Sequence, residues 1–315
     1  MVNLETRSTA ISRIHASALS PQTFAQQYQH PGKPVVVEGL LAPEVDWNLE
    51  YLCEQLGHHA FLIRCYGQQR YQQDKRQWSN IGSGVDVIQL PFQNYAQLLR
   101  NREAHARDMY LAKCAIGQTP LGNVNPLKEL GDRLGLQAPI SDFNLWVGPS
   151  GHVECLHYDP MDGTLVQLHG EKKVVLFAPQ LSTQLYPFPI SVHLRHGLRM
   201  RCWFSQVTLL NPDFESFPKL RQAWPQRVEV ILKPGETLYI PAGWWHEVTA
   251  LGTEMSCSVN RFWRVYPTSR ALFSWQRWRT YLGSASAVPH TLASLALALC
   301  SRQRQAKVAE ILRLI

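Results

Sequence analysis

His157 and Asp159 stand two residues apart in His157-Tyr158-Asp159, and a second histidine, His246, follows much later in the chain. On an extended strand alternate side chains leave the same face, so His157 and Asp159 point together while Tyr158 faces away. An imidazole arriving from another strand completes two nitrogens and one carboxylate on a single side of a metal ion. That donor set holds non-heme Fe(II) and leaves the opposite positions open for a cosubstrate and dioxygen. A chain with 12 His and 24 acidic residues contains stray His-x-Asp pairs by chance, so the setting gives this one its weight.

The setting is β structure. Asn144-Leu-Trp-Val-Gly148 precedes the pair as a strand, and Leu165 to Gly170 followed by Lys173 to Pro179 reads as a hairpin after it. Leu238-Tyr-Ile-Pro-Ala-Gly243 reads as a strand ending in a Pro/Gly turn, with His246 just beyond. From Met109 to about Trp263 short β-branched and aromatic runs recur between Pro and Gly, including His152 to Tyr158, Val228 to Leu232, and Met255 to Trp263. This spacing predicts a mainly β fold with flanking helices, a double-stranded β-helix or jelly roll whose open end can hold a ligand.

Ahead of that region a flexible lead gives way to a helix over Pro21 to Gln29, with Ser20 as its N-cap. A buried strand follows at Pro34 to Gly39, then a helix from Asn48 to Leu56, a strand from Phe61 to Tyr66, and a helix from about Phe92 to Asn101. The expected organisation has three parts. Residues 1–105 form an α/β segment packing on the barrel; 106–266 form the jelly-roll core, with an insertion at about 180–226 as a candidate lid or substrate-binding element; 267–315 form a C-terminal helical region.

Hydrophobic residues make up 45% of the 315 and charged residues 17%, the balance of a globular chain with a substantial core rather than a disordered one. The seven cysteines are scattered without a Cys-x-x-Cys pair, as expected of reduced thiols in a cytoplasmic or nuclear protein. Met1 to Arg7 lacks the apolar core of a signal peptide, and Leu292 to Leu299 is too short to span a bilayer, so no membrane partner is expected. The formal net charge of +7 is concentrated at one end: from Arg261 onward nine basic residues face Glu310 alone.

Taken together, His157-Tyr-Asp-Pro-Met-Asp162, Gly170-Glu-Lys-Lys-Val-Val-Leu-Phe-Ala-Pro179, Asn211-Pro-Asp213 and the chain length resemble the JmjC-type, cupin-like oxygenases that depend on Fe(II) and 2-oxoglutarate. The matching span runs from about Tyr110 to Trp263, and the nearest likeness is to the branch that hydroxylates the wybutosine base of tRNA. The resemblance implies that His157, Asp159 and His246 are the iron ligands and that Lys172 pairs with the distal carboxylate of 2-oxoglutarate. It also implies that the Tyr110 hydroxyl contacts that carboxylate and that Asn260 lies near the iron and the cosubstrate's other end. Two positions depart from the pattern. Gly163 stands where several relatives carry asparagine, and Glu154 where some have a threonine that touches the cosubstrate. An inward Glu154 would repel a carboxylate unless protonated or paired.

The implied reaction couples decarboxylation of 2-oxoglutarate, with O2, to hydroxylation of a C–H bond. The expected substrate is a macromolecule, foremost a modified tRNA base, because Trp275, Arg277, Trp278, Arg279 and Tyr281 interleave cations with stacking faces and the insertion adds further basic residues. A protein side chain or a small metabolite is the alternative within the family, and a cupin binding protein or isomerase that never uses dioxygen is the alternative outside it. Histone demethylation is disfavoured here by the lack of a chromatin-reader module or extra zinc-binding cysteine pairs. The leucines from 292 to 299 suit a homodimer interface.

Overall fold

The computed structural model describes residues 11–82, 84–123 and 125–314. The leader reading over Met1 to Arg7 lies outside the described residues. Within them the β-rich runs form thirteen strands in two sheets. In chain order these are β1 (Ser12–His15), β2 (Val35–Glu38), β3 (Ala60–Cys65), β4 (Asp86–Pro91), β5 (Met109–Ala115), β6 (Asn144–Pro149) and β7 (Val153–Tyr158). They continue as β8 (Asp162–His169), β9 (Lys172–Phe177), β10 (Val228–Leu232), β11 (Thr237–Ile240), β12 (Trp245–Ala250) and β13 (Met255–Trp263). The larger sheet runs β1-β2-β11-β8-β13-β6-β5-β3-β4 and the smaller β10-β9-β12-β7, a cupin-like sandwich with long helices after it.

Alternation along the strands explains the packing. Val174 and Leu176 of β9 point between the sheets, where they meet Leu165, Val230, Leu232, Leu238 and Ile240. Val175 and Phe177 point the other way, into a second cluster with Tyr158, Trp245 and the insertion's Leu181, Leu185 and Leu220. The outer face of the large sheet is covered by the helices Leu49–Leu56 and Phe92–Arg100 through Leu52, Leu56, Phe92 and Tyr95. Both faces of both sheets are therefore buried along much of their length, and the strands read as apolar runs.

Three sequence expectations need correction. Residues 12–15 are no loose lead: β1 pairs in parallel with β2, and Arg13 bonds Glu236 at 2.5 Å and Glu38 at 3.0 Å. Its Ser-Arg-Ile-His sequence carries too weak a pattern to show this. His246 does lie just beyond the Leu238–Gly243 strand and turn, but on a strand that the sequence reading left out: it is the second residue of β12, between β7 and β9. Finally, Trp275–Leu299 runs on as one helical stretch of 25 residues, long and apolar enough by length and composition to cross a membrane, although most of it is exposed in the folded chain. The isolated leucine run understated it because the helix begins well upstream, at Trp275.

The N-terminal helix starts where the Ser20 Oγ accepts the Thr23 N–H, and continues from Pro21–Phe24 into a π turn over Ala25–Gln29. Asn48 caps Leu49–Leu56 in the same way, accepting from Tyr51 N–H at 2.9 Å.

Candidate metal and cosubstrate site

The donor atoms of His157, Asp159 and His246 lie within 4.8 Å of one another, close enough for one ion to gather all three. His246 Nε2 is 3.6 Å from Asp159 Oδ2, and the two imidazole centroids are 4.3 Å apart. Each histidine is aimed by its own backbone. His157 Nδ1 donates to the Cys155 carbonyl at 2.7 Å and His246 Nδ1 to the Trp244 carbonyl at 3.1 Å, so both rings keep Nε2 free for a metal. Burial and the neighbouring His157 push His246 down to about 4, so it is held neutral, the form that binds a cation. Phe204 stacks on His157 with centroids 4.7 Å apart and fixes the plane of that ring.

Two local devices bring these residues together. The first is a bulge. β12 meets β7 through His246↔His157 and Val248↔Glu154, so Cys155 and Leu156 share one partner, Glu247. The additional residue shifts the alternation by one and turns Glu154 to the same side as His157. Leu156 N–H donates to the buried Glu247 carboxylate at 3.3 Å. The second is a turn. Gly243, at φ 84°, donates its N–H to the Asp159 carbonyl at 2.8 Å and so ties the His246 segment to the Asp159 loop. Beneath that loop Asp162 is wholly buried and accepts from Arg270 (2.8 and 3.1 Å), Tyr239 (2.8 Å) and Ala242 N–H (2.8 Å).

Beside the triad opens a cavity of about 430 Å³ whose wall includes Lys172, Tyr110, Asn260, Glu154 and Gly163. Lys172 is 3% exposed and donates to Tyr110 Oη at 3.2 Å and Ser258 Oγ at 2.5 Å, yet forms no ion pair with a described carboxylate. Burial pushes its ammonium down to about 8. A buried cation between two hydroxyls is a cradle for a carboxylate, and this is where a dicarboxylic cosubstrate fits. Lys173, its neighbour, points outward to Glu229 at 3.0 Å. Tyr110 is 2% exposed and its ring lies 3.7 Å from that of His152, which is itself held by Asp108 at 2.8 Å. Asn260 Oδ1 accepts from Trp146 Nε1 at 2.7 Å, which orients its amide at the cavity wall.

The departures now have a physical reading. Glu154 does face the cavity, and its charge offsets part of the cost of burying Lys172. At Gly163 a Cβ would meet nothing nearer than Phe262 at 3.7 Å, so the glycine simply widens the wall. Sequence reasoning missed Ser258, although it lies two residues before Asn260 on β13 and so shares its face. It also missed Phe204, Arg201, Arg64 and Lys113, which carry no spacing signal and reach the cavity from the insertion and from β3 and β5.

Residues 21–269 match the model of the cupin-like domain. The chain belongs to the cupin-like domain family. Among curated relatives of this cupin-like chain, the lysine-specific demethylase JMJ30 of Arabidopsis thaliana is 31% identical over 273 residues, covering 82% of this chain and 57% of the relative. The JmjC domain-containing protein D of Dictyostelium discoideum is 40% identical over 251 residues, covering 74% and 52%. The human tRNA wybutosine-synthesizing protein 5 is 26% identical over 268 residues, covering 79% and 77%. The chain thus spans about half the length of the first two. JmjC oxygenases use Fe(II) and 2-oxoglutarate, and the triad and the Lys172 cradle fit both groups. The tRNA-modifying protein is one of several such relatives and is less identical than the other two.

Proposed function

We propose that this protein is an Fe(II)- and 2-oxoglutarate-dependent oxygenase that oxidises a C–H bond of a protein side chain. The observation that carries the oxygenase reading is the buried, unpaired Lys172 ammonium beside the His157–Asp159–His246 set. A metal site alone would serve many cupin activities, whereas a cation buried at this cost serves an anionic cosubstrate. When bound, iron and 2-oxoglutarate would activate dioxygen, the oxidant for the C–H bond. The chain's own work is positional. Lys172, Tyr110 and Ser258 would hold the far carboxylate, the triad faces the open cavity, and Phe204 fixes the plane of the His157 ring.

The protein-substrate reading is supported by relatives whose names assign them to lysine demethylation. A tRNA substrate is the second reading, favoured by the basic C-terminal region and by the tRNA wybutosine-synthesizing relative; there the interleaved Trp275, Arg277, Trp278 and Arg279 would contact RNA, and the exposed Leu292, Leu297 and Leu299 would pair two copies. The test is anaerobic titration with Fe(II), with and without 2-oxoglutarate, followed by succinate release on peptide and tRNA pools. A visible charge-transfer band that is lost in Asp159→Ala supports the oxygenase. Bound iron without that band would assign the fold to another cupin activity, and turnover on tRNA alone would replace the protein substrate.

A further inference from the structure

The cavity next to the triad is more basic than its cofactors require. Arg64, Lys113, Lys172, Arg201 and Arg313 line it, against Glu154 and Asp159. Iron brings two positive charges and 2-oxoglutarate two negative ones, so loading the site leaves the surplus in place. Lys172 is accounted for by the cosubstrate. Arg64, Lys113 and Arg201 are not.

These three come from separate elements: Arg64 from β3, Lys113 from β5 and Arg201 from the insertion. None of them forms an ion pair with a described carboxylate; Arg64 hydrogen-bonds the Tyr66 hydroxyl at 3.4 Å, and Arg201 reaches the carbonyls of Leu198 and Leu314 at 3.5 Å and lies over the Trp203 ring, 5.4 Å from its centroid. Their fields overlap, since each of Lys113 and Arg201 is pushed down by burial and by another of the three, Arg201 to about 10. Both line the same cavity as His157, Asp159 and His246, so they stand around the metal site. The chain keeps Lys113 there at a backbone cost: its φ is +57°, within a register shift of β5 against β6 between Leu111 and Cys114. Glu154 and Asp159 are the carboxylates in the cavity that offset these three cations, and Asp159 belongs to the metal set, so the surplus favours a further anion between them.

We propose that Arg64, Lys113 and Arg201 form a carboxylate-recognition site for the substrate, so that the oxidised C–H bond lies within a few bonds of a carboxylate. This deepens the proposed oxygenase function and rests on it. An acidic side chain in a peptide and a free small carboxylic acid share that chemistry. A nucleic acid is a poorer fit, because its phosphates lie a sugar and a base away from a base carbon seated at the metal. A methylated lysine would bring a further cation into the same cavity.

The test uses the full chain with Fe(II) and 2-oxoglutarate under anaerobic conditions. Heptapeptides identical except for a central Asp, Glu, Asn, Gln or trimethyl-lysine are titrated, as are N-acetylaspartate and a short single-stranded RNA, with binding followed by calorimetry and by perturbation of the charge-transfer band. The acidic peptides are expected to bind about ten- to a hundredfold more tightly than their amide counterparts, the range that a hydrogen bond to a charged group confers. Arg201→Met and Lys113→Met should erase that preference while the band itself persists, and Arg201→Lys should restore part of it. Stronger binding of N-acetylaspartate than of any peptide identifies a small acid as the source; the reverse identifies an acidic side chain. Equal binding of acid and amide, tightest binding of trimethyl-lysine or RNA, or a preference that survives both Met variants overturns the proposal. A wild-type protein that holds iron but shows no band fails at the earlier step, and the acid-against-amide comparison on the metal-free protein then still reads the cationic site alone.

Discussion

Replacing Lys172 with methionine should make the metal-free protein more stable while destroying cosubstrate binding. Methionine fills a similar volume without a charge. The native ammonium stands at about 8 against an ordinary 10.5, and at 1.36 kcal/mol per pKa unit that difference corresponds to about 3 kcal/mol of burial cost. Loss of the donor leaves the Tyr110 and Ser258 hydroxyls without their partner, which returns about 1 kcal/mol or more. The expected net gain is about 1–2 kcal/mol at pH 7, an upward shift of a few degrees in Tm. The sign with pH follows from the depressed native value. Below pH 8 both folded and unfolded chains carry the proton and the full cost stands. Between 8 and 10.5 the folded chain loses its proton first, so wild-type stability rises relative to Lys172→Met and the gap closes. Adding 2-oxoglutarate at a hundredfold excess over its Kd should stabilise wild type by about 2.7 kcal/mol and leave the variant unmoved. Thermal melts of metal-loaded and metal-free protein across that pH range decide the matter. A variant less stable than wild type at pH 7, or one that responds equally to 2-oxoglutarate, would refute the idea that Lys172 is an unpaired cation awaiting a carboxylate.

Other outcomes follow from the same geometry. Glu154→Gln removes the carboxylate facing the cosubstrate cavity and should tighten 2-oxoglutarate several-fold in the anaerobic titration. Gly148→Ala would overlap the Tyr110 ring, so it should weaken that binding without removing any ligand, with iron content unchanged. Asp162→Ala strands the part-buried Arg270 and should cost about 3 kcal/mol in urea unfolding, somewhat less than a fully buried pair because Arg270 keeps some solvent contact. Glu247→Ala deprives the β7 bulge of the acceptor for Leu156 N–H; iron affinity should fall about tenfold or more, read by competition with a chelator.

The strands of this fold were legible because both faces of the sheets are buried along much of their length, which leaves Val35 to Val37 or Val174 to Phe177 as plain apolar runs. The triad was legible because two of its members stand two residues apart, His157 near the end of β7 and Asp159 just past it. What could not be read depends on contacts between distant segments. β12 hides behind Gly243 and two tryptophans. The bulge at Cys155 and Leu156 exists only because Glu247 of another strand satisfies it. Arg64, Lys113 and Arg201 are ordinary surface-type residues until three elements converge. The likeness to one branch of the family does not fix the substrate for a related reason: segments such as His157 to Asp162 report shared chemistry, and the substrate is chosen by the wall around them.

The pairing of β1 and β2 onto β11 has a practical consequence for dissecting the molecule. A fragment cut to begin at residue 106 would keep every proposed metal ligand and would still lose the cover on both margins of the large sheet. Thr237–Ile240 would be laid bare at one margin and Met109–Ala115 at the other. Such open, apolar margins invite chain-to-chain pairing, and that fragment should accumulate as insoluble material. The first hundred residues therefore serve as the sheet's solubilising hem.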